Sequence, residues 1–141
     1  HLINKSTNKY QSTNMDHLIN KSTNNKPFDI HDRTFKFVVR GLKVVKFVPP
    51  TVENKIIINQ FVRSITSVGA NDQEADGVSS KRDFVHCYTI VRKELKETRY
   101  WLTLLAAINE KLKPRMSDLI KENDELIKIV SVIISKAAVK I

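Results

Sequence analysis

The sequence predicts an all-α protein, an antiparallel up-down-up-down four-helix bundle. Three observations carry that prediction. Two long segments keep an unbroken three-four rhythm of apolar residues, the period of a helix face. Only three Gly and four Pro occur in 141 residues, too little turn material for a β fold. Short links divide the chain after residue 27 into four amphipathic stretches, which a bundle accommodates. At this length, with 41% hydrophobic and 28% charged residues, a single domain can bury a real core.

The segment from Ser79 to Leu112 organises the chain. Tyr88, Val91, Leu95, Thr98, Leu102 and Leu105 form a heptad-like seam. Beside it runs a second row: Cys87, Ile90, Glu94, Glu97, Trp101, Leu104 and Ile108. Together they make a face too wide for one partner helix, so this helix belongs inside a bundle. Ser80 suits the N-cap, with Asp83 three residues on as its capping-box acid. Neither Gly nor Pro interrupts the helix before Pro114, and thirty residues would span roughly 45 Å.

Residues 1–27 repeat HLINKSTN at His1 and His17, and are rich in Asn, Ser, Thr and Lys. Too little apolar surface offsets their ordering entropy, so a flexible polar tail is expected, with the bundle domain at 28–141. The first helix is expected from about His31 to Phe47, capped by Asp29 or Asp32. Phe35, Val38, Leu42 and Val45 are its expected inward stripe; Arg33, Lys36, Arg40 and Lys43 its outward one. Gly41 is costly in mid-helix and suits a close helix contact. Pro49 and Pro50 end the segment.

Thr51 caps the second helix, expected to reach Val68 with Ile57 or Ile58, Phe61, Ile65 and Val68 inward. Gly69 fits the residue past its end, and Ala70 to Ser79 read as a loop. Pro114 suits the first turn of the fourth helix, whose inward row is Met116, Leu119, Asn123, Leu126, Val130, Ile133 and Ala137. Ile120, Ile127 and Ile134 widen that face. Trp101, Leu104, Ile127 and Ile134 lie at the margins, where they complete a thick core or form a subunit contact.

Composition narrows the function classes. One cysteine, Cys87, excludes an internal disulfide and reads as a small hydrophobe. No run of about twenty apolar residues calls for a membrane span, and no apolar signal core opens the chain, so a cytoplasmic protein is expected. The chain begins with His1, as a fragment or processed chain does. A di-metal carboxylate bundle needs Glu-x-x-His pairs. Glu94 and Glu97 lie three apart but neither is followed by a suitable His, so pairing of Glu94 or Glu97 with Arg63 or another base from a neighbouring helix is expected instead. Arg82 and His86 approach the Arg–His spacing of some helical ribonucleases, without a second catalytic group. No phosphate loop, catalytic triad or ligand cluster appears, so neither enzyme activity nor a cofactor is expected.

The net charge of +9 favours a polyanionic partner, nucleic acid before an anionic membrane surface. The candidate contacts are Arg33, Lys36, Arg40 and Lys43 on the first helix, with Arg82, Arg92, Lys93, Lys96 and Arg99 on the third. Such stripes bind phosphates without reading bases. Aromatic residues are few on them, so base stacking is not expected.

The run from Gly69 to Leu105 resembles the four helix bundle protein family, also called the 23S rRNA intervening-sequence protein family. The resemblance rests on Gly69, Ala70, Asn71, Glu74, Ala75, Ser80, Lys81, Asp83, Phe84, His86, Glu94, Glu97, Thr98, Tyr100, Trp101 and Leu102. Glu53, Asn54, Gln60, Arg63 and Ser64 extend it upstream. Asp72 stands where the family usually has Tyr, Cys87 where a polar residue is common, and Gly77 interrupts a segment richer in Ala and Arg. The resemblance implies a ring, a homopentamer, in a bacterial setting: a 23S rRNA locus, or a diversity-generating retroelement whose accessory protein works with a reverse transcriptase. The expected function is therefore an oligomeric, non-enzymatic bundle binding RNA ahead of DNA. The alternative is a protein–protein adaptor that touches no nucleic acid.

Overall fold

The structure, a computed structural model, describes residues 29–139; the expected polar tail lies outside the described residues. Its four helices are α1 (Ile30–Val44), α2 (Val52–Gly77), α3 (Lys81–Ile108) and α4 (Lys113–Ala138). Single 3-10 turns at Val45–Phe47 and Glu110–Leu112 complete the described elements. Each helix packs on its chain neighbours, and α1 closes the ring against α4. With links this short, neighbours run antiparallel, and α1 and α3 stand on the diagonal.

The helix starts follow local chemistry. Asp29 accepts from the His31 N–H at 2.9 Å, Thr51 from Asn54 at 3.2 Å and Ser80 from Asp83 at 3.1 Å. At one end of the bundle Asn54 and Asn109 exchange side-chain hydrogen bonds, both 2.9 Å, and Asn54 also donates to the Pro49 carbonyl. This knot holds the α1–α2 link against the α3–α4 link.

The core takes the α3 seam from Tyr88 to Leu105 and the α4 row from Met116 to Ala137, every predicted member buried. Ile57, Phe61, Ile65 and Val68 of α2 meet them, while Ile58 is half-buried. Buried polar residues fix the packing. Thr98 donates to Ser64 at 2.9 Å, and Asn123 to the Leu95 carbonyl at 2.9 Å. Asp72 accepts from the Tyr88 hydroxyl and from His31 Nδ1, at 2.9 and 2.8 Å, tying α1, α2 and α3 together.

Two expectations are overturned. Helix α2 does not stop at Val68; it runs on through Gly69 to Gly77, and the turn is only Val78 to Ser80. The expected Ala70–Ser79 loop is helical for most of its length because Asp72 and Ala75 continue the buried row begun by Ile65 and Val68. Tertiary burial overrides the turn preference of Asn71, Asp72 and Gly69.

Helix α1 is also rotated from the expected register. Its buried residues are Ile30, Thr34, Phe37, Gly41 and Val44, whereas Phe35 and Leu42 are exposed and Val38 and Val45 only half-buried. Gly41 is the cause. A Cβ there would lie 2.2 Å from Ile65 Cδ1 and 3.0 Å from Phe61 Cζ, so α2 approaches along a stripe with no bulk at its centre.

Candidate nucleic-acid interface

Nine basic residues were expected to face an anion, and the fold separates them. Three are already held. Arg33 makes a two-armed contact with Glu122, at 2.7 and 3.0 Å, that clamps α1 to α4. Lys36 meets Asp32 one turn away at 2.8 Å. Arg99 meets Asp124 at 2.7 Å. In each, the hydrogen bond to the carboxylate raises the cation's pKa; for Arg33 burial acts the other way but is outweighed.

Arg63 is held in the same manner, as the sequence suggested. It pairs with Glu97 and, at 3.5 Å, with Glu94. Trp101 donates its indole N–H to Glu97 at 3.3 Å. The hydrogen bond from Arg63 lowers the Glu97 pKa, whereas burial raises that of Glu94. These contacts bridge α2 and α3 and occupy the Arg63 guanidinium.

The other predicted cations make no ion pair among the described residues, and they fall into two groups. Arg82, Arg92, Lys93 and Lys96 lie along the outside of α3; all but the half-buried Arg92 are exposed. Arg40 and Lys43 lie on diagonal α1. The two groups therefore face different sides of the bundle and do not make one surface.

Arg40 and Lys43 acquire a partner that sequence reasoning missed. Antiparallel packing sets the end of α1 beside the start of α4, and together they line a groove of about 240 Å³. Arg40, Lys43 and Phe47 come from the α1 side, Arg115 and Asp118 from α4, and the buried Val44 and Leu119 also line it. The Arg115 guanidinium carbon sits 3.9 Å from the centre of the half-exposed Phe47 ring. Lys43 in a last helical turn also complements the carbonyl end of α1, but that role needs only one cation. Three unpaired cations around an aromatic ring exceed it. The clue was available: in an up-down bundle, Lys43 to Phe47 must neighbour Lys113 to Arg115.

Among the described residues, no cluster of three or more His, Cys, Asp or Glu could hold a metal ion, and no helix is long and apolar enough to cross a membrane. Cys87 is buried; burial pushes its thiol pKa up, and the charges of Glu74 and Asp83 add to this.

Fold and surface define the class: an all-α four-helix bundle with a basic surface. More specifically, the chain belongs to the 23S rRNA-intervening sequence protein family, which it matches over residues 26–132. It is similar to a crystal structure of a protein of unknown function from the S23 ribosomal protein family of Bacteroides thetaiotaomicron. That similarity is 31% in sequence with a TM-score of 0.69, over 75% of this chain and 98% of that one. No functionally curated protein matches the chain.

Proposed function

We propose that this chain is a non-enzymatic, oligomeric helical bundle of the cytoplasm that binds RNA, ahead of DNA, through phosphate contacts from its basic helix faces. One observation carries the reading: Arg40, Lys43 and Arg115 converge on one groove and none of them forms an ion pair among the described residues. Cations not already paired with a carboxylate are the ones that can replace counterions on phosphate. Arg82, Arg92, Lys93 and Lys96 supply a second, weaker face on α3. The family's name ties its members to intervening sequences of 23S rRNA, so the setting is an rRNA locus or, in the retroelement branch, a reverse transcriptase.

The exposed Phe35 and Leu42 on α1 support self-association, in the form of a homopentameric ring. A ring would repeat each groove and convert weak phosphate contacts into avidity. Mass measurement in solution tests this part; a monomer at all concentrations overturns it.

RNA binding is tested by retention of an rRNA fragment across a salt series. The logarithm of the association constant should fall linearly with the logarithm of salt, by about 0.7–0.9 per phosphate contact. A flat line rejects the reading. The same Phe35 and Leu42 stripe favours a second reading, a protein–protein adaptor, because an uncovered apolar face also fits a partner protein. The adaptor keeps a partner but shows no RNA retention at any salt.

A further inference from the structure

We propose that the α1–α4 groove holds one unpaired nucleotide of single-stranded RNA, with its phosphate on Arg40 and Lys43 and its base stacked at the Phe47–Arg115 pair. This rests on the RNA reading above and names what that site recognises.

The groove contains three kinds of contact that no simpler ligand uses together. Arg40 and Lys43 supply charge for an anion. Phe47 supplies a half-exposed aromatic ring, already carrying a guanidinium over its face. Arg and aromatic planes are the surfaces on which unstacked bases lie. Asp118 lines the same groove as a carboxylate with no ion pair among the described residues. A bare phosphate would be repelled by it. A nucleotide instead offers it a donor, the ribose hydroxyl or a base N–H.

Duplex RNA does not fit this description. Its bases are paired and stacked, so it could engage only the cations. The 3-10 turn that carries Phe47 follows directly on α1, and the Asn54–Asn109 knot anchors the link that succeeds it. The ring is thus displayed at the end of the bundle, where a looped-out or terminal base can reach it.

The test uses the whole chain with three probes: an oligouridylate of about 12 nucleotides, the same strand with abasic sites, and an RNA duplex of equal length. Phe47→Leu keeps apolar bulk and removes the aromatic plane. It should weaken oligouridylate binding by about 5- to 100-fold and leave the abasic strand and the duplex unchanged. Arg115→Lys keeps the charge and should reproduce that selectivity with an unchanged salt dependence. Arg40→Gln with Lys43→Gln should weaken all three probes and reduce the salt slope.

If Phe47→Leu changes nothing, or weakens the three probes equally, the stacking site is refuted while phosphate binding stands. If Arg40→Gln with Lys43→Gln also changes nothing, the RNA reading of this groove goes with it. Helix content measured on every variant separates either result from misfolding.

Discussion

Helix α1 and the α3–α4 half of the bundle obey different rules. Along α3 and α4 every residue of the predicted heptad seams is buried, and Arg99 finds Asp124. On α1 the expected apolar stripe is split, with Phe35 and Leu42 exposed and Val38 and Val45 half-buried, Thr34 and Gly41 face inward, and Arg40 and Lys43 form no ion pair among the described residues. Natural sequences break local rules mainly where something besides folding is being served. The proposed RNA contacts accordingly fall on the helix whose pattern reads worst. The contrast also shows that net charge is a poor guide to a single basic surface, because seven of the nine expected contacts are either clamped to carboxylates or on α3, away from the groove.

The largest effect should come from exchanging the two faces of α1. Phe37→Ala empties a fully buried site and should destabilise the bundle by about 3–5 kcal/mol in chemical denaturation. Phe35→Ala, on the exposed face, should cost less than about 0.5 kcal/mol of fold stability while lowering any self-association. Equal costs would mean that α1 has the originally expected register.

The next test sets free cations against clamped ones. Neutralising Arg40, Lys43 and Arg115 together should weaken RNA binding on the order of 100-fold at about 0.1 M salt, near 2.7 kcal/mol, and cut the salt slope by about 2. Neutralising Arg33 and Arg99 should leave affinity within about twofold, because their charge is already answered by Glu122 and Asp124. That second pair should instead lower the melting temperature slightly. Comparable affinity losses from both sets would mean that clamped and free cations contribute alike.

How much was legible follows the same division. The α3 and α4 seams were readable because long uninterrupted helices display many periods, and the Ser80 cap and Pro114 mark their starts. The Arg63–Glu97 pair was readable from the semi-buried row. The register of α1 was not, since a glycine at a helix crossing carries no hydrophobic signal although it admits Ile65 and Phe61. Nor was the length of α2, where a buried Asp72 looked like turn chemistry until Tyr88 and His31 were seen to satisfy it. Arg115 and Phe47 carry no local signal as a pair, because 68 positions separate them, and it takes the antiparallel closure of α1 on α4, applied to the ends of both helices, to bring them together.

A smaller change probes the cause of the rotated register. Gly41→Ala forces a methyl group against Ile65 and Phe61, and should cost about 1–3 kcal/mol despite Ala's better helix propensity. Gly77→Ala meets nothing within 4 Å and should be neutral or stabilise by up to about 1 kcal/mol. Opposite signs at two helical glycines would identify Gly41 as a packing residue; the same sign at both would leave the register without its explanation.

The smallest effect concerns pH and tests whether α1 is fastened at its other end. Burial lowers the pKa of His31, but the hydrogen bond to Asp72 and the charges of Asp72, Asp76 and Asp29 outweigh it, so the net shift is upward. The folded state then holds a proton that the unfolded chain releases near pH 6.5. The resulting stabilisation is complete below that pH and is lost as pH rises through the elevated folded value. Denaturation midpoints at about pH 6 and pH 8 should therefore differ more for the natural chain than for His31→Gln. Tyr88→Phe should preserve the pH dependence while lowering stability at both values, because it removes a donor to Asp72 and leaves the imidazole in place. If His31→Gln retains the full pH difference, other titrating groups cause it, and the proton on His31 does not help hold α1 in its rotated position.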